Sequence, residues 1–393
     1  MRVLIDYRPA LRERSGVGEY THELARALLS EYPHGAAADH LELTVFSSSW
    51  KDRLSPSPEL AGAARIDRRV PVSVLNLAWH RVGWPPIELV AGGRFDVAHS
   101  SHPLLLPARD AAQIVTIHDL DFLAHPERTR AEIRRDYPHL VGEHARRADA
   151  VIVSSSFTAG EVERQLGVAR ERIAVCPHGA PEWTPRREAP AHGYVLFFGT
   201  LEPRKNLGGL LDAYERLVAG HRDHGPAEAG HYGNIPELVL AGRTTDAARP
   251  WLARIARPPL AGHVRYVGYV DRSQRRELYA GARLLVQPSF AEGFGITVLE
   301  AMSLGVPVVA AARGSLPEVA GDAAVFVDPD DADDIARGID RLLRDERAAA
   351  DHAAKGLARA QAFSWRSTAR RVYDTYRRAV ARRNAERGMR NAE

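Results

Sequence analysis

The chain has 393 residues, of which 45% are hydrophobic and 26% are charged. This length predicts two domains of ordinary size, and the composition excludes a largely disordered chain, a collagen and a disulfide scaffold. The single cysteine, Cys176, excludes an internal disulfide and a cysteine-based zinc or iron–sulfur site. The 53 basic residues comprise 50 Arg and 3 Lys, but the formal net charge is only +3, so charge gives little support for nucleic-acid binding.

The chain contains no sequence pattern typical of insertion into a membrane. Its first apolar run is too short for a signal-peptide core, and no window holds the ~18 consecutive apolar residues of a spanning helix. We therefore expect a soluble, cytoplasmic protein. Segment 366–390 carries nine Arg against two acidic residues. It predicts a helix with one packed and one solvated face, and peripheral contact with the inner face of a membrane is the alternative interpretation.

Apolar runs typical of strands alternate with helical patterns in the first half of the chain. Strands are predicted at Val3–Ile5, Leu41–Phe46, Phe95–Ala98, Ile114–Ile117, Val151–Val153 and Ile173–Val175. Helices are predicted between them at Glu19–Ser30, Glu132–Arg147 and Phe157–Gln165. The Pro-rich stretch Pro177–Pro190 then separates this half from the next.

The second half repeats this alternation. Strands are predicted at Tyr194–Phe198, Leu238–Ala241, Val264–Val267, Leu284–Gln287, Val306–Val309 and Ala324–Val327, with helices near Leu207–Val218, Ser273–Gly281, Thr297–Leu304 and Asp334–Leu343. Two runs of βα units predict an α/β chain with two doubly wound parallel sheets. We expect one domain at 1–185, a second at 190–363, and a terminal helix at 364–393. Ligands bind at the carboxyl ends of such strands, so the cleft between two domains is the expected site.

Two motifs of the first half follow predicted strands. In Arg14–Tyr20 (RSGVGEY), Gly16 and Gly18 would let a phosphate or sugar approach backbone N–H groups at a helix start. The spacing is not G-x-G-x-x-G, and a purely structural turn is an equal alternative. His118 and Asp119 end another strand, where they could bind a sugar or act as general acid and base. An equal alternative is that His118 is a structural residue of a turn, with its hydrogen bonds made within the protein.

The second half carries a basic motif, Glu202–Asn206 (EPRKN), directly after its first strand. Pro203 stiffens the loop, and Asn206 can cap the helix that follows. Arg204 and Lys205 then stand side by side near a helix N-terminus, which favours a diphosphate site over a surface basic pair.

A second motif, Glu292–Glu300, places two glutamates eight residues apart between a strand and a helix. Carboxylates accept hydrogen bonds from sugar and ribose hydroxyls. The intervening glycines expose the N–H groups of the first helical turn to an anion or a hydroxyl.

Two further segments could suggest metal binding. Asp328–Asp334 is rich in acidic residues but opens a helix, where acids favour the helix dipole, so capping is the preferred interpretation. His221–Asn234 contains three histidines and three glycines without an apolar period, which is typical of a solvated surface loop. We therefore expect no metal site in either segment.

Taken together, these motifs resemble those of the retaining family-4 glycosyltransferases with the GT-B fold, over the whole length of the chain. The resemblance extends beyond the early glycine turn and the three motifs above to Gly305–Val309 (GVPVV) and to Gly314 with Pro317 and Glu318. It is closest to bacterial mannosyltransferase-like members. It implies two Rossmann-like domains facing a central cleft, with an acceptor-side N-terminal domain and a C-terminal domain that binds the nucleotide sugar. The terminal helix would cross back to the first domain.

The resemblance also implies a role for each motif residue. Arg204 and Lys205 would neutralise the diphosphate, helped by Gly16 and Gly18 as the N-terminal domain closes. The catalytic residues would be His118, Asp119 and Glu292, with Glu292 at the donor sugar. The remaining contacts to the sugar, phosphate and ribose would come from Phe294, Gly295, Ile296, Thr297 and Glu300.

The implied reaction moves a hexose, foremost mannose from GDP-mannose, to a glycan or lipid-linked acceptor with retention, and needs no metal or other cofactor. Fixed positive charge would stabilise the leaving diphosphate, and front-face attack would account for retention. A UDP-sugar donor, an epimerase or phosphorylase, and an inactive glycan-binding protein are the alternatives. Residues 268–271 leave guanine and uracil both open, and the sequence does not indicate the acceptor, the linkage or the oligomeric state.

Overall fold

The structure, a computed structural model, describes residues 1–11, 16–33, 40–55, 57–126, 131–223 and 235–392. It divides into two compact units. Unit 1 consists of Met1–Gly179 together with Ser364–Glu393, and unit 2 consists of Ala180–Phe363.

Unit 1 contains seven parallel strands within its described residues. They are β1 (Arg2–Asp6), β2 (Glu42–Ser47), β3 (Ala64–Asp67), β4 (Val97–Ser100), β5 (Ala112–Ile117), β6 (Ala150–Val153) and β7 (Ile173–Val175). Their order in the sheet is β3-β2-β1-β4-β5-β6-β7. The connecting helices are α1 (Val17–Glu31), α2 (Val72–Arg81), α3 (Ile87–Ala91), α4 (Asp121–Ala124), α5 (Ala131–Arg147) and α6 (Ser156–Leu166).

All six strands predicted for this half are present. The central strands are largely buried and mostly apolar, as expected where helices cover both faces of a parallel sheet. Strand β6, for example, is buried along its whole length. The seventh strand, β3, was not predicted. It lies at the edge of the sheet, and the exposed Ala64 and Arg65 interrupt the apolar run on which the prediction depends.

Unit 2 contains six parallel strands within its described residues. They are β8 (Tyr194–Phe198), β9 (Leu238–Ala241), β10 (Val264–Gly268), β11 (Ala282–Gln287), β12 (Val308–Ala311) and β13 (Ala324–Val327), in the order β10-β9-β8-β11-β12-β13. The helices are α7 (Leu207–Asp223), α8 (Arg249–Ile255), α9 (Arg272–Ala280), α10 (Ile296–Ser303), α11 (Leu316–Ala320), α12 (Ala332–Arg344) and α13 (Glu346–Ala360).

Several boundaries in unit 2 differ from the sequence-based prediction, among them the start of β12 and the end of α7. Strand β12 begins at Val308 and not at Val306, because Pro307 has no N–H to donate to a neighbouring strand. Helix α7 continues through residue 223, so the predicted loop does not begin at His221. The rest of that loop, residues 224–234, lies outside the described residues.

The acidic segment caps a helix, as predicted. Asp331 is the N-cap of α12, and its Oδ1 accepts a hydrogen bond of 2.8 Å from the backbone N–H of Asp333. Asp334 Oδ2 accepts a second one, from the backbone N–H of Asp328 at 2.8 Å. Among the described residues, no group of three His, Cys, Asp or Glu side chains is arranged to hold a metal ion.

The last helix, α14 (Trp365–Ala392), belongs to unit 1. Its apolar face is buried in the core that α1 and the sheet also form. Its basic side chains bind carboxylates and carbonyls of the same unit: Arg366 and Arg370 bind Glu31, Arg383 binds Asp149, Arg387 binds Asp110, and Arg382 binds the Asp149 carbonyl. These contacts favour the packed-helix interpretation of this segment. No helix in the described chain is long and apolar enough to cross a bilayer.

Each sheet contains one point where the direction of the strand order reverses. In unit 1 it lies between β1 and β4, and in unit 2 it lies between β8 and β11. The loops that leave these neighbouring strands diverge to opposite faces of the sheet, which opens a crevice at the carboxyl edge. Functional side chains are therefore expected at these two points.

The junction between unit 1 and its last helix gives a test of packing. A Cβ atom at Gly179 would lie 2.2 Å from the backbone nitrogen of Trp365 and 2.5 Å from its Cγ. Because backbone cannot move aside locally, we expect Gly179→Ala to lower the free energy of unfolding by about 1–3 kcal/mol, measured by urea or thermal unfolding.

Gly220→Ala is the matched control. Gly220 lies on α7 with no atom within 4 Å of an added Cβ, so this change should be neutral or should stabilise by up to about 1 kcal/mol. A wild-type unfolding midpoint for Gly179→Ala would contradict the close packing of this junction.

Candidate functional site

Two loops meet at the reversal point of unit 2. One follows β8 and leads through a 3-10 turn, Pro203–Lys205, into α7. The other follows β11 and leads into α10. The backbone N–H of Phe290 donates to the carbonyl of Arg204 at 2.8 Å, and Arg204 Nη1 donates to the carbonyl of Ala291 at 3.2 Å. The two motifs predicted to bind the donor are thus in direct contact with each other.

The loop after β8 is fixed from its other side by the loop after β9. A Cβ atom at Gly242, where φ is +134°, would lie 2.0 Å from the carbonyl oxygen of Gly199. The backbone N–H of Leu201 donates to the carbonyl of Arg243 at 2.7 Å. A glycine is required at 242 because the two loops approach backbone to backbone.

Lys205 and Glu292 form a buried ion pair between the two loops. Lys205 is 8% exposed and Glu292 is 6% exposed, and the Lys205 Nζ lies 2.5 Å from Glu292 Oε1. The sequence predicted both residues as ligands of the donor but did not predict that they bind each other. An ammonium group has three N–H bonds, so Lys205 can bind Glu292 and a phosphate together.

The two carboxylate oxygens of Glu292 have different surroundings. Oε1 also accepts hydrogen bonds from Gln287 Nε2 at 3.0 Å and Ser289 Oγ at 2.9 Å, whereas Oε2 lies 3.6 Å from Arg204 Nη1. Burial raises the pKa of Glu292, but the charges of Lys205 and Arg204 outweigh burial, so the net pKa is lowered. Glu292 is therefore an oriented carboxylate whose Oε2 is the oxygen with fewer protein donors.

Gln287 and Ser289 were not identified from the sequence. Gln287 is the last residue of β11 and is fully buried, and its Oε1 accepts a hydrogen bond from Thr297 Oγ1 at 3.3 Å. This contact orients the amide so that its nitrogen faces Glu292. A polar side chain directly after the apolar run 284–286 was the available signal, since such positions border the ligand-binding edge of a parallel sheet.

The backbone of Glu292 is held by the segment that precedes α11. The N–H and Oγ of Ser315 donate to the Glu292 carbonyl at 3.1 and 2.9 Å. At Gly314, where φ is +62°, a Cβ atom would lie 2.8 Å from the same carbonyl oxygen. This contact explains why a glycine–serine pair stands at 314 and 315.

Glu300 lies in the second turn of α10 and is 4% exposed. Its Oε1 accepts from Arg275 Nη1 at 2.9 Å, and its Oε2 accepts from the Tyr279 hydroxyl at 2.8 Å. Burial and the neighbouring Glu300 charge raise the pKa of Tyr279 well above its usual value, so this hydroxyl keeps its proton. The structure thus places Glu300 on two protein donors that the sequence did not predict.

The start of α10 holds the remaining predicted donor ligands. Gly295 is the N-cap residue with φ of +96°, and Ile296 and Thr297 form the first helical turn. The Phe294 side chain is buried and its ring packs on Phe363 with 5.8 Å between centroids. Phe294 therefore presents backbone rather than its ring at this turn.

In unit 1, His118 follows β5 and is half-buried. Its Nε2 donates to the carbonyl of Ser101 at 3.1 Å, which leaves Nδ1 as an acceptor in the neutral ring. Burial lowers the pKa of His118 to about 4. The imidazole is therefore neutral at pH 7, which favours a hydrogen-bonding role over that of a general acid.

A buried network supports His118. The Tyr20 ring packs edge-on against His118 with 4.8 Å between centroids, and the Tyr20 hydroxyl lies 3.3 Å from Thr116 Oγ1. His99 connects Thr116 to the last helix, with its Nε2 at 2.8 Å from Thr116 Oγ1 and its Nδ1 at 2.7 Å from the Tyr376 hydroxyl. Helix α14 thereby contributes to the position of His118.

The other predicted residues of unit 1 occupy turn and cap positions. Asp119 Oδ1 accepts a 3.3 Å hydrogen bond from the backbone N–H of Asp121 at the start of α4. Gly16 is the N-cap of α1, and a Cβ atom at Gly18 would lie 2.6 Å from the Pro9 carbonyl oxygen. Residues 14 and 15 of this motif lie outside the described residues.

The reversal point of unit 1 holds a charged cluster that the sequence did not indicate. Asp6 ends β1, is fully buried, and accepts from Arg8 Nε at 2.8 Å and Nη2 at 2.6 Å. His102 Nε2 lies 3.3 Å from Asp6 Oδ2. Burial raises the pKa of Asp6, but Arg8 and His102 outweigh it and hold the pKa well below the usual range.

Two family profiles together match most of the chain. The profile of the family described as Glycosyltransferase Family 4 matches residues 14–182, and the profile described as Glycosyl transferases group 1 matches residues 185–359. The O-antigen chain mannosyltransferase B of Escherichia coli is 30% identical over 400 residues, covering 96% of this chain and 100% of that protein.

Solved structures show the same fold. Sucrose-phosphate synthase from Thermosynechococcus elongatus has a TM-score of 0.75 at 21% identity and covers 97% of this chain and 99% of that one. The Anabaena protein HepE, solved with UDP-glucose, has a TM-score of 0.64 at 18% identity and covers 95% and 99%. The chain therefore belongs to the family-4 glycosyltransferases and is a hexosyl-transferring enzyme with two Rossmann-like domains of the GT-B fold.

Proposed function

We propose that this enzyme transfers mannose from GDP-mannose to a glycan or lipid-linked acceptor, with retention of anomeric configuration and without a metal ion. The observation that carries the proposal is the buried Lys205–Glu292 pair beside Arg204 at the reversal point of unit 2. The choice of mannose is supported by the Escherichia coli mannosyltransferase, which matches the whole chain.

The charges of the site suit departure of a nucleoside diphosphate. Negative charge develops on the diphosphate as its bond to the sugar breaks, and fixed cations stabilise that charge most in the transition state. Arg204 supplies a planar guanidinium, held by a 2.6 Å hydrogen bond to Glu202. Lys205 supplies a compact ammonium, held by Glu292. These two side chains would take the place that a metal ion occupies in other phosphate-transfer sites.

The two glutamates suit the hydroxyl groups of the donor. Glu292 Oε2 would accept a hydrogen bond from the donor sugar, since Oε1 already accepts three from the protein. Each oxygen of Glu300 accepts one hydrogen bond from a protein side chain and can accept a second from a ribose hydroxyl. The roles of His118, Asp119, Gly16 and Gly18 stay predictions from the family resemblance.

Retention is proposed to follow from front-face attack. Glu292 is bound to Lys205 and has a lowered pKa, which makes it a poor carboxylate nucleophile for a covalent intermediate. In this reaction the acceptor hydroxyl attacks the anomeric carbon as the diphosphate leaves from the same face. The departing phosphate then receives the acceptor proton.

A UDP-sugar donor is the second candidate, because HepE was solved with UDP-glucose. Thermal-shift measurements with GDP, UDP, GDP-mannose and UDP-glucose distinguish the two. A ligand at one hundred times its dissociation constant adds about 2.7 kcal/mol of stability. We expect GDP and GDP-mannose to raise the melting temperature and the uridine compounds to leave it unchanged, and the reverse pattern would assign a UDP-sugar donor.

Lys205→Ala tests the source of the positive charge. We expect kcat/KM to fall about a hundredfold or more, corresponding to ~2.7 kcal/mol of lost transition-state stabilisation. EDTA should leave wild-type turnover unchanged. Lys355→Ala is the matched control, because Lys355 is paired with Asp351 on the exposed face of α13.

Unfolding midpoints of both variants separate lost catalysis from lost stability, since removing one partner of a buried pair also destabilises a protein. Full turnover by folded Lys205→Ala, or abolition of wild-type turnover by EDTA, would exclude the proposed role of this pair.

Gln287→Leu tests whether the orientation of Glu292 matters. The change removes a hydrogen bond to a charged group, worth about 1.5–3 kcal/mol, and we expect kcat to fall tenfold or more with a smaller change in KM. Gln113→Leu is the control. It removes a partly buried amide in unit 1, whose Nε2 donates a hydrogen bond to the Leu106 carbonyl. Equal effects of the two changes on kcat would indicate a general loss of packing instead.

A further inference from the structure

The residue that follows Lys205 has an unusual backbone conformation. Asn206 has a φ of +55° and, among the described residues, is the one residue other than glycine with a positive φ. This left-handed conformation ends the 3-10 turn that carries Lys205, and α7 begins directly afterwards at Leu207. Asparagine tolerates such a conformation better than most residues, but the conformation still needs support from neighbouring contacts.

The Asn206 side chain provides that support with two hydrogen bonds. Its Oδ1 accepts a 3.2 Å hydrogen bond from the backbone N–H of Gly209, and its Nδ2 donates a 2.6 Å hydrogen bond to the carbonyl of Pro329. The residue is 5% exposed. An aspartate would cap α7 equally well but has no N–H to donate. The hydrogen bond to Pro329, rather than helix capping, therefore explains why an asparagine stands at 206.

Pro329 belongs to a loop that follows the last strand of the sheet. Residues 328–331, called the β13 loop below, connect β13 to α12. Strands β8 and β13 are separated in the sheet by β11 and β12, so the Asn206–Pro329 hydrogen bond joins loops whose strands are not neighbours. The two residues are also 123 positions apart in the chain.

The acidic residues of the β13 loop fix its backbone. Asp328 Oδ1 accepts a 3.0 Å hydrogen bond from the backbone N–H of Asp330, and the Asp328 carbonyl accepts a 3.1 Å hydrogen bond from the N–H of Asp331. Pro329 lies between these residues, so its carbonyl is a fixed acceptor for Asn206. The acid-rich sequence of this loop thus orders the loop in addition to capping α12.

The β13 loop also contacts the segment that holds Glu292. Arg313 binds Asp330, and its Nη2 lies 3.7 Å from Asp328 Oδ1. Arg313 directly precedes the glycine–serine pair that holds the Glu292 carbonyl. The β13 loop is therefore bound on one side to the residue next to Lys205 and on the other side to the segment that fixes Glu292.

We propose that the β13 loop is a positioning element for the Lys205–Glu292 pair, and that Asn206 is the residue through which it positions Lys205. A lysine side chain is flexible, so the location of its ammonium group depends on a fixed backbone as well as on its partner carboxylate. The kinetic consequence rests on the proposed function, because a displaced ammonium would stabilise a leaving diphosphate less. The positioning itself does not depend on which donor binds.

Amine labelling tests the position of Lys205 without any substrate. The chain has three lysines, Lys51, Lys205 and Lys355. The Lys205 side chain is 11% exposed and paired with Glu292, whereas the Lys355 side chain is 41% exposed and Lys51 is also exposed. In the wild type, acetylation by N-hydroxysuccinimidyl acetate, read by mass spectrometry, should be slowest at Lys205. The other two lysines are internal references in every sample.

Asn206→Gly permits the left-handed backbone but removes both side-chain hydrogen bonds. We expect acetylation of Lys205, relative to the two reference lysines, to rise at least about fivefold, because local opening exposes the amine. With GDP-mannose, kcat should fall about tenfold while KM changes less than about twofold, because the lost stabilisation concerns charge that develops in the transition state.

Asn206→Asp separates the hydrogen bond to Pro329 from the helix cap. It keeps an oxygen for the Gly209 N–H and loses the donor to the Pro329 carbonyl. The added negative charge would by itself favour the protonated, unreactive form of Lys205 and slow its acetylation. Faster acetylation and a lower kcat in this variant, with a smaller loss of melting temperature than in Asn206→Gly, would therefore indicate loss of the hydrogen bond to Pro329.

Asp345→Gly is the matched control, because it removes the cap of another helix of unit 2 by the same kind of substitution. Asp345 is the exposed N-cap of α13, and its Oδ1 accepts a 2.9 Å hydrogen bond from the backbone N–H of Ala348. The melting temperature should fall as a helix cap is lost. The acetylation of Lys205 and kcat should both stay at the wild-type values.

Combining Asn206→Gly with Lys205→Ala separates positioning from general support of the fold. Because Asn206 acts through Lys205, the Asn206→Gly change should lower kcat/KM about tenfold in the wild type but less than about twofold in the Lys205→Ala background. A merely structural role would lower kcat/KM by the same factor in both backgrounds.

Two results would overturn the proposal. Lys205 could be acetylated at the wild-type rate in folded Asn206→Gly and Asn206→Asp, or Asn206→Gly could have the same effect on kcat/KM with and without Lys205. Faster acetylation of Lys205 in both variants of a protein that does not use GDP-mannose would support the positioning and contradict the proposed function, so the two failures are distinguishable.

Discussion

The buried ion pair between Lys205 and Glu292 is the interaction on which the candidate site of unit 2 depends. Removing two charges from water is costly, and such a pair often stabilises a fold less than apolar residues of the same size would. Here Gln287 and Ser289 donate further hydrogen bonds to Glu292, and the positive charge of Arg204 lies 3.6 Å from it, which offsets part of that cost. This arrangement supports the proposed role of the pair in binding an anionic ligand more than a role in stabilising the fold.

The same topology produces a chemically different site in unit 1. Both sheets reverse their strand order once, and in both the polar side chains follow the strands at or beside that reversal. In unit 2 the cations hold Glu292 ionised, whereas in unit 1 burial outweighs the charge of Asp119 and keeps His118 neutral. The environment of each side chain, and not its residue type alone, therefore sets its charge at neutral pH.

The excess of arginine in this chain has several structural uses. On α14, guanidinium groups bind carboxylates and carbonyls of unit 1, where a planar group with five N–H donors can reach several acceptors at once. In unit 2, Arg204 lies between the carboxylates of Glu202 and Glu292 at the candidate site instead. Composition alone cannot separate these two uses, because they differ only in what lies next to each side chain.

The sequence by itself determined the two parallel α/β units and the loops that carry Arg204, Lys205, Glu292 and Glu300, since apolar runs, turn residues and capping residues are local patterns. Only the tertiary structure decided what these side chains contact. Lys205 and Glu292 are 87 residues apart and meet because β8 and β11 are neighbours in the sheet. Arg275 and Tyr279 of α9 reach Glu300 on α10 from 25 and 21 residues earlier in the chain. Gln287 becomes a donor to Glu292 only through its buried position at the end of β11. Strand order and side-chain orientation bring distant residues together, and neither is encoded in a local period.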